Sequence, residues 1–304
     1  MLTNVYAENL GWLFEDLKRH FGRMEGVAVS DRPLPDAGAW VALRTREAGV
    51  SPDLGRTAVC LHDLFDEEGM YQPGGSRGGV HGAGALVLCH PEQRRILAAS
   101  GVPLEGRPIL ERPLGALSAF RPRERPRQVP RSFTVGWVGR NHPRKRLPWF
   151  VEAVRDLGAP VRAVLLGEGL EEAAGALRAA GIACDHCSRE THPISEYPRV
   201  YQDLDCVVIT GTTEAGPLPL FEALASGVPV VSTPVGWAPF FEGIGVRIAE
   251  SPAGITAHLE ELRPTREEMF ARRLEIAAQV APWTLEGWLA DVLEVARQLG
   301  LRAA

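Results

Sequence analysis

Short apolar runs that end in polar residues alternate with helix-like segments along the first half of the chain. The runs are GVAVS (26–30), TAVCLHD (57–63) and ALVLCH (85–90). The helix-like segments are LGWLFEDLKRHF (10–21), WVALRTREAG (40–49) and PEQRRILAASG (91–101), the last of which begins with proline and ends with glycine. This alternation predicts an α/β layer structure.

The same alternation is clearer in the second half. The predicted strands are FTVGWVG (133–139), VRAVLLGEG (161–169), DCVVIT (205–210) and VPVVST (228–233). The predicted helices are LPWFVEAVRDLG (147–158), LEEAAGALRAAG (170–181), PLPLFEALASG (217–227) and the amphipathic tail PWTLEGWLADVLEVARQLG (282–300). Continuous apolar strands joined by helices indicate a parallel sheet that is covered on both faces.

A segment rich in proline and arginine, FRPRERPRQVPRS (120–132), separates the two halves. We interpret it as a stiff, solvated connector, and a basic arm for nucleic acid is the alternative. The expected organisation is a Rossmann-like domain over 1–120, a linker over 121–132 and a second Rossmann-like domain over 133–285. The tail helix over 286–304 is expected to pack back on the first domain.

Composition narrows the function classes. The 304 residues carry a net charge of −5, so no global field favours nucleic acid or an anionic membrane. No apolar run is long enough to span a bilayer, and the N-terminus lacks the basic region of a signal peptide. Five cysteines are thinly spread, which suits reduced thiols, and we therefore expect a cytoplasmic protein.

The loop and helix entrance after the strand at 205–210 carry the main candidate chemistry. Backbone N–H groups of Gly216 and Leu218, flanking Pro217, lie where a helix begins and can bind an anion. Glu214 precedes that helix and Glu222 lies inside it, and carboxylates accept hydrogen bonds from hydroxyls. Phosphate between hydroxyl-bearing groups is the layout of a nucleotide-sugar. The alternative is that Glu214 caps the helix and Glu222 is a surface residue.

A second loop follows the strand at 133–139. Gly139 ends the strand, and Arg140 and Lys145 then bracket a short loop. Both cations suit the oxygens of a diphosphate, and they would stabilise a departing nucleoside diphosphate. A solvated basic loop is the alternative, and Arg144 and Arg146 are expected to face solvent.

These residues, with Glu214 and Glu222 in an E-x7-E spacing inside EAGPLPLFEALASGVPVV, resemble glycosyltransferase family 4. The resemblance is specific over 134–236, moderate over 57–120 and weak over 1–56. It implies the GT-B fold, with two Rossmann-like domains facing each other across a cleft, and a retaining, metal-independent transfer of sugar from a nucleotide-diphosphate-sugar to an unidentified acceptor. No cofactor is implied beyond that co-substrate.

The resemblance also implies roles for single residues. Glu222 would bind ribose hydroxyls, Glu214 the donor sugar, and Arg140 and Lys145 the diphosphate. The backbone from Gly216 to Leu218 would complete the phosphate site, and Gly167 lies in a loop near the nucleotide. His62 would face the donor sugar, with Asp63 orienting it or capping the next helix.

Some features depart from the family or leave alternatives open. The family's glycine-rich first loop is reduced to Gly11, followed by Trp12, so a non-catalytic partner protein is one alternative. A nucleotide-sugar epimerase or hydrolase on the same scaffold is another. CDHC (184–187) is interpreted as a loop with reduced thiols rather than a zinc site, since no second CxxC exists. The glycine-rich stretch 71–85 is interpreted as a flexible loop or lid.

Overall fold

The computed structural model describes residues 1–8, 12–62, 79–124, 132–158, 160–188, 191–214, 216–243 and 245–302. Contacts divide the chain into two compact units. The first unit comprises Met1–Leu114 and Leu285–Ala304, and the second comprises Gly115–Thr284. The expected boundaries at 120 and 285 therefore lie six residues and one residue beyond those that the contacts define.

The first unit is built on one parallel sheet. Its elements are β1 (Thr3–Tyr6), α1 (Trp12–Phe21), β2 (Val27–Ser30), β3 (Ala39–Ala42), β4 (Thr57–Leu61), α2 (Gly79–Gly82), β5 (Ala85–Leu88), α3 (Gln93–Ala99) and β6 (Ile109–Glu111). The strand order is β2-β1-β3-β4-β5-β6, and every pairing is parallel.

The prediction of a helix over 40–49 is wrong. Residues Ala39–Ala42 form β3, and a 3-10 helix, Thr45–Val50, follows it. All four residues of β3 are buried, because the strand lies between β1 and β4 in the interior of the sheet. A short, continuously apolar run fits such a strand as well as it fits a buried helix, and tertiary pairing decided between them. Strands β1 and β6 were not predicted.

The second unit repeats the architecture. Its elements are β7 (Phe133–Val138), α4 (Leu147–Leu157), β8 (Val161–Leu166), α5 (Glu171–Ala179), β9 (Ala183–Cys187), α6 (Tyr197–Tyr201), β10 (Cys206–Ile209), α7 (Leu218–Ala225), β11 (Val230–Ser232), β12 (Val246–Ile248), α8 (Pro252–Leu262), α9 (Arg266–Ala271) and α10 (Arg273–Ala278). The strand order is β12-β11-β10-β7-β8-β9, again parallel throughout.

Both faces of the second sheet are covered, as the apolar strands predicted. On one face, alternate residues of β7, β8 and β10 pack against α4 and α8, including Phe150 and Leu259. On the opposite face, the intervening strand residues pack against α6 and α7, including Tyr201 and Phe221. Burial of nearly every side chain of β7, β8 and β10, with Arg162 of β8 an exposed exception, explains why these strands have almost no polar alternation.

The interpretation of CDHC as a loop is wrong, because these residues belong to the edge strand β9. The backbone of β9 pairs with that of β8, and Arg162 of β8 donates to the Asp185 carboxylate at 2.8 Å on the exposed side of this edge. Cys184 and Cys187 are buried, and burial raises the pKa of both thiols. Within the described ranges, no group of three or more His, Cys, Asp or Glu side chains is placed to hold a metal ion.

The C-terminal helix, α11 (Leu285–Arg302), belongs to the first unit. It packs along β3, β4 and β5, with Trp288 and Val292 fully buried. Arg112, just after β6, forms an ion pair with Asp291 of this helix. Of the helices in the described part of the chain, none combines the length and apolarity needed to cross a membrane.

Candidate active site

The strand order of the second sheet reverses between β7 and β10. The chain moves outward from β7 through β8 to β9, and then returns to build β10, β11 and β12 on the other side. Strands β7 and β10 are paired, so the loops that follow them leave the same edge of the sheet as neighbours. Such a reversal is where parallel α/β sheets bind ligands. Both motif-bearing loops, 139–146 and 210–217, begin there.

Hydrogen bonds tie these two loops together. Arg146 donates from Nε to the Thr210 carbonyl and from Nη2 to the Gly211 carbonyl, both at 2.8 Å. Thr212 N–H donates to the Arg144 carbonyl at 2.8 Å. Trp137 Nε1 donates to the Thr210 hydroxyl at 3.0 Å, and that hydroxyl donates to the Lys145 carbonyl with a distance of 2.5 Å.

Arg146 is therefore not the solvent-facing residue that the sequence suggested. It is half-buried, and its guanidinium stacks on Trp149 with Cζ 3.7 Å from the ring centroid. Burial lowers the pKa of this guanidinium below its ordinary value. Its φ of 46° makes it the one non-glycine residue with positive φ in the described part of the chain. Only Arg144 of the two is exposed, as expected.

Lys145 and Glu214 meet across the two loops. The distance from Lys145 Nζ to Glu214 Oε1 is 2.7 Å, and the side chains are 28% and 15% exposed. Glu214 also lies over Gly211, where a Cβ would come within 3.0 Å of Glu214 Cγ. Two residues that are 69 positions apart in sequence are thus brought together, with both charges still accessible from solvent.

Arg140 lies on the same loop and is exposed. In the described ranges it has no hydrogen bond or ion pair, so its guanidinium is available to an anion. Beside Arg140, the backbones of Gly139 and Gly167 lie very close to each other. A Cβ on Gly167, whose φ is 139°, would lie 1.9 Å from the Gly139 carbonyl oxygen. Only glycine fits at position 167.

Helix α7 begins at this edge, one residue later than expected. Leu218 is its first residue, Pro217 is the N-cap with φ −62° and ψ 110°, and Pro219 lies in the first turn. Neither proline carries an N–H group, so the donors at this entrance are the backbone N–H groups of Gly216 and Leu218. The positive end of the helix favours negative charge there.

Glu222 lies one turn into α7, where it has a partner that the sequence did not reveal. The Tyr201 hydroxyl, from the last residue of α6, donates to Glu222 Oε2 with an O···O distance of 2.6 Å. Burial raises the pKa of Glu222 to about 7, and the Tyr201 hydrogen bond opposes that rise. Tyr201 is separated from Glu222 by 21 positions, and no local pattern in the sequence identifies it as the partner.

His62, the candidate in the first unit, directly follows β4. Its ring lies 5.6 Å from Phe14 and 5.9 Å from Trp288, measured between centroids, and Cys89 Sγ lies 3.6 Å from Nδ1. Its Nε2 is buried with no hydrogen-bond partner in the described ranges. Burial, with a smaller contribution from Arg44, lowers the pKa of His62 to about 4.

Some candidates lie outside the described residues. These are Asp63, Gly11 and most of the glycine-rich stretch 71–85. Nothing in the structure bears on the roles that were expected for these undescribed residues. The described part of the stretch, 79–85, was expected to be a flexible loop and instead contains helix α2 and the first residue of β5.

The sequence and the fold of this chain are similar to those of known glycosyltransferases. Residues 132–263 match the family model of glycosyl transferases group 1. HepE of Anabaena, solved with UDP-glucose, aligns with a TM-score of 0.73 at 13% identity, over 100% of this chain and 99% of its own. The chain has the GT-B fold.

Further structures with this GT-B architecture include WaaG, a glycosyltransferase involved in lipopolysaccharide biosynthesis. It aligns with a TM-score of 0.73 at 13% identity, over 96% of this chain and 99% of its own. Sucrose-phosphate synthase of Thermosynechococcus elongatus aligns with a TM-score of 0.69 at 12% identity, over 100% of both chains. No sequence among the curated proteins matches significantly.

Proposed function

We propose that this GT-B protein is a glycosyltransferase that moves a sugar from a nucleotide-diphosphate-sugar to an acceptor. The observation that carries the proposal is the pairing of Lys145 with Glu214 at the strand-order reversal of the second unit. The family match over 132–263 covers both loops, and the UDP and UDP-glucose in the HepE structures agree with such a donor.

Each polar group has a task in this proposal. Arg140 and Lys145 take the diphosphate, together with the N–H groups of Gly216 and Leu218, because all four present positive charge or donors to one edge. Glu214 accepts from hydroxyls of the donor sugar, beside the phosphate that Lys145 holds. Glu222, one turn deeper, accepts from the ribose hydroxyls.

The reaction we propose retains the anomeric configuration. The bond between the anomeric carbon and the phosphate oxygen breaks, and the acceptor oxygen bonds to the same face of that carbon. The acceptor proton passes to the departing phosphate, so the products are a glycoside and a nucleoside diphosphate. Arg140 and Lys145 stabilise the charge that grows on the leaving group, and no metal ion is required. The acceptor hydroxyl is the only nucleophile in this scheme.

Thermal-shift measurements with UDP, GDP, ADP, TDP and their sugars test the donor site. At one hundred times its dissociation constant, a nucleotide should stabilise the protein by about 2.7 kcal/mol. We expect one nucleotide to do so, and expect the shift to disappear in Glu222→Ala and Arg140→Ala. Arg144→Ala removes the same charge from an exposed position on the same loop and should keep the shift.

The outcomes separate the alternatives. Absence of any shift would contradict the proposal and favour a non-catalytic partner protein. Turnover of the bound nucleotide-sugar without acceptor would favour a hydrolase or epimerase. An inverted anomer by NMR would exclude the same-face reaction, and loss of activity in EDTA would exclude the metal-independent scheme. The five cysteines, all buried thiols outside any disulfide, support our placing the reaction in the reducing cytoplasm.

A further inference from the structure

The Tyr201 hydroxyl donates to Glu222, the residue to which the proposed function assigns the ribose of the donor. We propose that Tyr201 is a positioning residue, whose hydroxyl holds one carboxylate oxygen of Glu222 so that the other oxygen accepts from the ribose hydroxyls of the donor. The inference rests on the proposed function, because it deepens the role given there to Glu222. It concerns recognition of a nucleoside diphosphate with an intact ribose.

Tyr201 is rigidly placed. Its side chain is fully buried, and its ring packs edge-on against Phe120 with centroids 5.3 Å apart. It lies in the apolar layer between the second sheet and α7, together with Leu220 and Phe221. A tyrosine fixed in this way holds its hydroxyl oxygen at one position, which lies 2.6 Å from Glu222 Oε2.

Glu222 is less constrained without this contact. It lies on α7 between the buried residues Phe221 and Ala223, and its side chain is half-buried at the border of the apolar layer. In the described ranges, the Tyr201 hydroxyl is the one hydrogen-bond partner of the Glu222 carboxylate, and it contacts Oε2 alone. Oε1 therefore remains as the acceptor for a ligand hydroxyl.

The hydrogen bond also favours the ionised form of Glu222, against the larger effect of burial. An O···O distance of 2.6 Å is in the range of about 2.5–2.7 Å that is typical of a hydroxyl donating to a carboxylate. Burial disfavours that ionised form, and Tyr201 opposes the effect of burial. A carboxylate is a stronger acceptor for ribose hydroxyls than a neutral acid is, so the contact sets both direction and strength.

The test compares a nucleotide with its analogue that lacks both ribose hydroxyls. Dissociation constants for UDP and 2′,3′-dideoxy-UDP, and for the ADP, GDP and CDP pairs, are measured by calorimetry on wild type and Tyr201→Phe. For the nucleotide that binds, we expect wild type to prefer the ribose form by about 10- to 100-fold, as for hydrogen bonds to a charged group. In Tyr201→Phe the preference should fall about tenfold, while affinity for the dideoxy form changes less than twofold.

Two further variants make the result specific. Tyr6→Phe removes the hydroxyl of another fully buried tyrosine, which donates to the Glu47 carbonyl in the first unit, and it should leave the preference unchanged. Glu222→Gln should lower the preference, and adding Tyr201→Phe to it should change the preference less than twofold, because the two residues act through one contact. This second pair of proteins also decides the matter if Tyr201→Phe alone does not fold.

The inference would be overturned by equal weakening of ribose and dideoxy forms in Tyr201→Phe, which is the mark of a merely structural role. An unchanged preference in that variant, or a further loss on the Glu222→Gln background, would overturn it as well. If wild type binds a nucleotide and Glu222→Gln loses the preference for the ribose form, the proposed donor site is supported even when the positioning role of Tyr201 is contradicted. If wild type binds none of the nucleotides, the proposed function fails first.

Discussion

The polar residues at the strand-order reversals of the two sheets differ in how far they are already satisfied by the protein. In the second unit, Arg140 is exposed and the Lys145–Glu214 pair is partly exposed, at 28% and 15%. In the first unit the order reverses between β1 and β3, where Glu47 is only 7% exposed. It accepts from the Glu8 N–H at 3.0 Å and lies 3.5 Å from Arg44.

The difference indicates what each edge is built to do. Buried charges need internal partners, and Glu47 has them at Oε1, whereas its Oε2 is buried with no hydrogen-bond partner in the described residues and burial raises the pKa of this carboxyl. In the second edge, backbone carbonyls are held by Arg146 and Thr210, while the charged ends of Arg140, Lys145 and Glu214 stay accessible. A rigid frame that carries accessible charges is the arrangement expected of an anion-binding site.

Arg146→Ala should disrupt the rigid frame of the second unit, and it is expected to have the largest of the predicted effects. It removes two hydrogen bonds from a charged group to the Thr210 and Gly211 carbonyls and the stacking on Trp149. We expect the free energy of unfolding of the second unit to fall by about 2–4 kcal/mol. Hydrogen exchange should accelerate in peptides covering 133–146 and 206–214, and stay unchanged in the first unit.

Arg144→Ala is the matched control for that experiment, since it removes the same charge from the exposed neighbour. It should change stability by less than about 0.5 kcal/mol. Wild-type exchange rates in Arg146→Ala would show that the two loops are held by other contacts.

Elements of the second unit that are marked by a run of neighbouring residues could be predicted from the sequence. Contacts between residues that are far apart in the sequence could not. Strands β7, β8, β10 and β11 were predictable because both of their faces are buried, which leaves apolar runs such as 133–138, whereas the three-residue strand β12 was not predicted. The positions of Glu214 and Lys145 at strand ends followed from the same runs. Strand β9 was missed because its residues, ACDHC, are half polar and it lies at the sheet edge.

Contacts within the site were less predictable. The backbone conformation of Arg146, with φ of 46°, goes with the two carbonyl groups to which its side chain donates. These carbonyls belong to residues 64 and 65 positions away. The Tyr201 partner of Glu222 lies 21 positions away on another helix. No local pattern distinguishes such residues from surface arginines or core tyrosines.

The free energy of unfolding should depend on pH differently in the two units. Glu222, in the second unit, is expected to give the second-largest of the predicted effects. Its pKa is about 7 in the folded protein and 4.5 in the reference state, so the folded protein binds the proton more tightly. Stability from this group is therefore present below pH 4.5 and is lost as pH rises through 7. The loss by pH 8 should be about 2–3 kcal/mol.

Glu222→Gln carries no titrating group and keeps an oxygen for the Tyr201 hydroxyl. It should be more stable than wild type at pH 8 and nearly equal at pH 4.5, measured by chemical denaturation across that range. A loss on the alkaline side that persists in Glu222→Gln would assign it to another group. Because Glu222 is the proposed ribose acceptor, the stabilised variant should also bind the nucleotide more weakly, as is common when a site residue is replaced.

His62 should act in the opposite pH direction, with a smaller effect in the other unit. Its pKa is about 4 in the folded protein and 6.5 in the reference state, so the unfolded chain binds the proton more tightly. Stability from neutral His62 is present above pH 6.5 and is lost as pH falls through 4. His90, also buried with a pKa lowered to about 4, contributes in the same direction.

His62→Asn should therefore remove about half of the stability that is lost between neutral pH and pH 5. The half that remains, which is due to His90, should be about 1–2 kcal/mol. Hydrogen exchange of peptides from the first unit at pH 5 and pH 7.5 measures this without contributions from the second unit. His90→Asn should remove the other half of the loss; His90 differs from His62 in that its Nδ1 accepts from the Glu92 N–H at 2.9 Å. If His62→Asn keeps the full acid-side loss, His62 is solvated enough to titrate normally, and its Nε2 is then accessible to water. If the loss is halved, the first edge holds its histidine neutral in an apolar setting, whereas the second edge holds Glu222 near its titration point.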